Sequence, residues 1–143
     1  MNSVTISHLT AQERQAVEVF IARLYECFPG RILQTILFGS KARGDSRPWS
    51  DIDILTIVDE EDWPTRHEIS NIAADVSLEY DVLIGPRVIG QERWERMQRH
   101  RFSLYRNVAA EGIPLPPTPD TSLAKAQRAN YGSVSSSSDS GGS

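Results

Sequence analysis

Cysteine is almost missing from this chain. Cys27 is the only one in 143 residues, so no intrachain disulfide can form. It falls in an apolar helical stretch, which predicts a buried, inert thiol. Histidine is scarce as well: His8, His67 and His100 are scattered and lack the spacing of zinc ligands. No serine–histidine–aspartate arrangement stands out. No apolar run approaches the ~20 residues that a membrane-spanning helix needs. The first residues lack a basic stretch followed by an apolar one, so no secretory signal is expected. A reducing, cytoplasmic setting is the resulting expectation. Nor is there an excess of positive charge. With 19 acids against 15 bases the formal net charge is −4, so the chain as a whole is not a generic polyanion binder and nucleic acid is not an expected partner.

What is present is ordinary globular material, 39% hydrophobic and 24% charged, which excludes a collagen, a coiled-coil rod and a wholly disordered chain. The charge is segregated. Residues 51–81 hold ten acids and one Arg, a sum of −9, between flanks of +2 over 41–50 and +3 over 82–112. The C-terminal part differs in composition: 113–119 is proline-rich, and 131–143 contains seven Ser and three Gly. Such a segment has too little apolar surface to offset its ordering entropy. Residues 116–143 therefore read as a mostly disordered tail, with a short helix near 122–129, and residues 1–115 as one domain.

Thr10-Ala11-Gln12-Glu13 is a capping box that opens a helix running to about Phe28. Ile32–Phe38 reads as a buried strand, broken by Gly39-Ser40. Residues 41–50 read as a loop with one helical turn, and Asp51–Val58 as a second strand. Pro64 suits the first turn of a helix over about 64–77. Glu79–Ile84 reads as a third strand stopped by Gly85-Pro86, and a last helix spans about Gln91–Ala110. The order predicts an α/β (α+β) fold: a small mixed sheet of three to four strands covered by helices.

Chemistry is concentrated around Asp51 and Asp53. Residues i and i+2 of a strand share a face, so the two carboxylates stand side by side. Each raises the other's pKa unless a cation sits with them. Hard oxygen ligands of this kind suit Mg²⁺. Glu79 and Asp81 repeat the device on the third strand, and either could complete the site; Asp81 is preferred because Glu79 lies at the strand edge. Phe38-Gly39-Ser40 forms a phosphate-binding corner, where a Gly after a buried strand lets backbone approach a ligand. Lys41, Arg43 and Arg47 supply positive charge for outer phosphates. Gly39-Ser40-Lys41 is not a Walker A loop, which needs an upstream Gly where this chain has Thr35. Taken singly, each piece has a plainer reading: a solvated acid pair, a turn. The arginines at 93, 96, 99, 101 and 106 likewise read most simply as a solvated helix face, with Trp94, Met97, Leu104 and Val108 buried opposite.

The joint spacing is more specific. Gly39-Ser40, ten intervening residues, Asp51-x-Asp53 and an acid on the next strand resemble the nucleotidyltransferase superfamily of the DNA polymerase beta type. Phe38–Asp45 with Trp49–Leu55 is similar, nearly residue for residue, to the G-S-x-A-R-G…S-D-I-D-L stretch of the minimal nucleotidyltransferase (MNT) group. Lys41 stands where that group often has Arg. Tyr105–Ile113 is similar to the end of the group's last helix. The resemblance covers about residues 10–115 and implies AMP transfer from ATP to a hydroxyl. Gly39, Ser40, Lys41 and Arg43 would hold the nucleotide. Asp51, Asp53 and Asp81 would hold two Mg²⁺ ions, with Asp81 on the ion that activates the attacking hydroxyl. The acceptor pocket of larger relatives is expected to be missing here. The resemblance also implies an antitoxin that modifies a tyrosine of a HEPN-domain ribonuclease toxin and forms a hetero-oligomer with it, the arginine-rich helix being the candidate interface. Two other readings stay open: a module that neutralises its partner by contact alone, and an enzyme acting on a small-molecule or RNA hydroxyl.

Overall fold

The computed structural model describes residues 8–45 and 50–116. Helix α1 spans Ala11–Cys27. Its capping box forms as expected: Thr10 Oγ1 accepts the Glu13 amide at 3.1 Å and Glu13 Oε1 accepts the Thr10 amide at 2.9 Å. Val17, Phe20, Ile21 and Leu24 point into the core. Cys27 does not, and is exposed. The apolar stripe steps from Leu24 to Phe28, one helical turn on, and leaves Cys27 on the flank.

Strand β1 (Ile32–Phe38) leads into the one-turn helix α2 (Ser40–Arg43), and β2 (Ile52–Val58) runs back antiparallel to β1. Helix α3 spans Trp63–Tyr80, with Asp62 as its cap and Pro64 in its first turn. Here the structure corrects the third strand. The stripe Ile69, Ile72, Ala73, Val76 carries the helix through Glu79, and it stops only at Asp81, in the left-handed conformation with φ 55°. The amides of Asp81 and Val82 both donate to the Ser77 carbonyl, which closes the helix end. Strand β3 begins later, at Ile84, and runs to Gly90. Gly85 and Pro86 are therefore inside the strand, not its stop. Proline is tolerated because β3 is the edge of the sheet, where a missing N–H costs no ladder bond.

The expected last helix is two: α4 (Gln91–Arg99) and α5 (Ser103–Glu111), parted by Arg101 at φ 54°. A two-residue strand β4 (Ile113–Pro114) pairs antiparallel with β1, and Leu115 is tied to Thr35 through both backbone and side chain. The sheet order is β3-β2-β1-β4, with β2 and β3 parallel, so the sheet is mixed and four-stranded. Helices cover both faces. One core lies between the sheet and α1 and α3, where Ile52, Ile54 and Val58 of β2 pack. The second, formed by Leu55, Ile57, Ile89, Met97 and Val108, lies under α4 and α5. Met97 and Val108 are buried as expected, while Trp94 and Leu104 are half-buried against the same cluster. No helix among the described residues is long and apolar enough to cross a membrane. The expected helix near 122–129 lies outside the described residues.

Candidate active site

The site is assembled at one end of β1 and β2. Phe38 pairs with Asp53 across the antiparallel ladder, so the turn after β1 lies beside the start of β2. Gly39 is that turn. Its φ is 79° and its ψ −158°, a region open in practice to glycine alone. A β-carbon here would also run into Asp53 Oδ2. The carboxylate of Asp53 is therefore packed over the backbone of this turn. The first turn of α2 follows, closed at its far end by Gly44 in the left-handed region.

Asp51 and Asp53 share the face of β2 that also carries Leu55 and Ile57. Asp51 is exposed and Asp53 half-buried. Burial, and then the charge of Asp51, push the Asp53 carboxyl above its ordinary range; Arg87 and Arg43 oppose that rise. Across the parallel ladder Asp53 faces Gly85. A β-carbon on Gly85 would lie 3.4 Å from Asp53 Oδ1 and 3.6 Å from Asp51 Oδ2. Both carboxylates therefore border one point that β3 leaves without a side chain. Two hard oxygen donors beside an open position fit Mg²⁺, which takes one or two carboxylates and completes its shell with waters and substrate phosphates.

The other expected residues are placed differently. Ser40 is half-buried at the start of α2. Arg43 is exposed and pairs with Asp45 and with Glu111 of α5, each at 3.2 Å, while its charge still reaches Asp53. Lys41 is 3% exposed, and its Nζ lies 2.6 Å from Glu13 Oε2. It is turned inward, against the start of α1. Asp81 stands at the end of α3, off the sheet. Among the described residues no three Asp, Glu, His or Cys side chains gather as a metal cluster. The structure thus sets the Gly39 turn against Asp53, with Asp51 beside it and the charge of Arg43 reaching Asp53, while Asp81 ends α3 and Lys41 pairs with Glu13. Arg47 and Trp49 lie outside the described residues.

Three residues escaped the sequence. Glu13 was legible only as a cap. Gly85 and Arg87 belong to the site face of β3, with Ile89 further along. Counting back in twos from the apolar Ile89 would have found them, but only with the strand correctly placed.

Known proteins bear on the same region. The family model for the nucleotidyltransferase domain matches residues 19–111. A Methanocaldococcus jannaschii protein named a protein adenylyltransferase is 37% identical over 100 residues, covering 70% of this chain and 94% of its own length. Among solved structures, a toxin–antitoxin crystal structure with AMP-PNP is 21% identical, covers 81% of this chain and 93% of that one, and superposes with a TM-score of 0.47. A Shewanella oneidensis complex of a tri-AMPylated HEPN toxin with an MNT antitoxin is 19% identical, with 84% and 93% coverage and a TM-score of 0.42. The family match spans the Gly39-Ser40 turn, both carboxylates and all but the last strand of the sheet. This chain belongs to the nucleotidyltransferase domain family.

Proposed function

We propose that this protein transfers AMP from ATP to a hydroxyl of another protein, and that it acts as the antitoxin of a HEPN-domain toxin by modifying a tyrosine of that toxin. The observation that carries the transfer reading is the packing of Asp53 over Gly39, which joins a phosphate corner to a pair of carboxylates. A protein acceptor is supported by the name of the M. jannaschii relative. The toxin as acceptor is supported by the resemblance of Phe38–Leu55 to the MNT motif.

In this reading Asp51 and Asp53 hold Mg²⁺. When bound, the metal neutralises triphosphate charge and stabilises the in-line displacement at the α-phosphorus, with pyrophosphate leaving. Gly39 lets the outer phosphates approach the backbone, and Ser40 offers a hydroxyl beside them. Arg43, braced by Glu111 and Asp45, adds positive charge at the rim. Lys41 keeps the short helix α2 in place from beneath.

The test is labelling of the partner with ATP and Mg²⁺, read by mass spectrometry. The wild-type chain should add mass in units of AMP, and Asp51→Asn with Asp53→Asn should abolish the addition. Normal labelling by that double variant would refute the site. A double variant that no longer labels but still protects cells from the toxin would assign neutralisation to contact alone. Asp81→Asn should retain labelling, since Asp81 ends α3 and no third acid gathers with the pair among the described residues; its loss would restore the third carboxylate to the site.

A further inference from the structure

Strand β3 places one more charged group on the site face. It runs parallel to β2 in a register that sets Gly85 against Asp53 and Arg87 against Leu55. Residues alternate between faces, so Gly85, Arg87 and Ile89 share the side of Asp51, Asp53, Leu55 and Ile57. The packing of Ile89 with Leu55 and Ile57 fixes which side that is. Along β3, then, the face reads from an open position between two carboxylates to an arginine next to it.

Arg87 is exposed, and among the described residues no carboxylate lies within 4 Å of it. Several other arginines of the molecule do have such a partner: Arg23, Arg31, Arg43, Arg66, Arg93 and Arg96. The charge of Arg87 nevertheless acts on Asp53, opposing the effects of burial and of Asp51. A dicarboxylate and a guanidinium that stand on one face without closing on each other suit a ligand carrying both signs. A triphosphate with its divalent cation is such a ligand: the carboxylates take the cation, and the planar fork of the guanidinium takes phosphate oxygens.

We infer that Arg87 binds phosphate groups of the donor nucleotide, beside the cation held by Asp51 and Asp53. The inference rests on the nucleotidyl-transfer reading above and adds to it a residue from the strand that the sequence misplaced. It also accounts for what β3 contributes to a site where it offers no carboxylate.

The test needs only the full chain and ATP, without any partner. Calorimetric titration with ATP and Mg²⁺ should give binding by the wild type and about tenfold weaker binding, or worse, by Arg87→Gln, the loss of a charge-assisted hydrogen bond. Arg87→Lys should retain part of the affinity, and Arg106→Gln, on α5, should bind ATP as the wild type does. The unfolding temperature of ligand-free Arg87→Gln should match the wild type, because the side chain is exposed. Equal ATP affinity in Arg87→Gln overturns the inference. So does a variant that binds Mg²⁺ alone more tightly and ATP no worse, since Arg87 would then only offset the acid pair. Failure of the wild type to bind ATP would instead sink the nucleotidyl-transfer reading itself, and this inference with it.

Discussion

At position 41 the sequence and the structure assign different work to the same side chain. Beside Gly39-Ser40 a lysine looks like a phosphate ligand. Packing turns it inward, where its Nζ meets Glu13 at 2.6 Å with both side chains nearly buried. Glu13 holds two things at once: one carboxylate oxygen caps α1 at Thr10 and the other takes Lys41. The start of α1 is thereby fastened to α2. A buried charge left without its partner is costly, so Lys41→Ala should destabilise the fold by about 3–5 kcal/mol in denaturant titration. Glu13→Gln combined with Lys41→Met should lose less than the two single changes together, because neither charge is then stranded. If Lys41→Ala unfolds like the wild type and only ATP binding falls, Lys41 is a phosphate ligand after all.

Among the elements, the connection from β2 to α3 is held by one carboxylate. Glu61 Oε1 accepts the Gly90 amide at the end of β3 at 2.6 Å and Arg93 Nε of α4 at 2.9 Å, while Oε2 meets Arg66 of α3. Burial alone would raise the pKa of this acid. The hydrogen bonds from Arg93 and Gly90 and the charges of Arg93 and Arg66 outweigh it and hold the carboxyl below its usual value. A depressed folded-state pKa contributes stability that is present above the unfolded value and is lost as pH falls through the folded one. Glu61→Gln should therefore destabilise by about 1–2 kcal/mol at pH 7, and the gap to wild type should close as the pH is lowered through the acid range. A gap that stays constant with pH would show that shape, not charge, is what Glu61 supplies. The other end of α3 delays the start of β3. Glu79-Tyr80-Asp81 looks like strand by composition, yet Ser77 captures two amides and ends a helix there.

For the molecule as a whole, the −9 of residues 51–81 has two fates. Asp51 and Asp53 face the open position by Gly85. Half of the other eight acids are paired internally: Asp59 and Asp62 with Arg31, Glu61 with Arg66 and Arg93, Glu79 with Arg23. The acidic middle is thus tied to α1, to the residue before β1, to its own helix α3 and to α4 through Arg23, Arg31, Arg66 and Arg93. Arg99, Arg101 and Arg106 are exposed, and among the described residues none has a carboxylate within 4 Å. They lie on and between α4 and α5, and in the proposed reading they are the charged surface that would meet the partner. Arg99→Glu with Arg106→Glu should weaken capture of the partner in a binding assay, more at low salt than at high, and leave ATP titration unchanged. Wild-type capture by that variant would place the interface elsewhere.

Much could be read from the chain alone. The capping box, Ile32–Phe38, the turn at Gly39-Ser40, the side-by-side Asp51 and Asp53 and the mixed sheet follow from local rules of periodicity, capping and glycine. These patterns depend on neighbours a few residues apart. Tertiary structure decided what depends on distant neighbours. Whether 79–81 ended a helix or began a strand turned on the fit of α3 against α1 and the sheet. The burial of Lys41 required Glu13, 28 residues away, to be waiting for it. The exposure of Cys27 followed from how the helix stripe rotated onto the sheet. And Arg87 joined the site face only once the register of β3 against β2 was set, since a strand's alternation says which residues share a side but not which side faces the carboxylates.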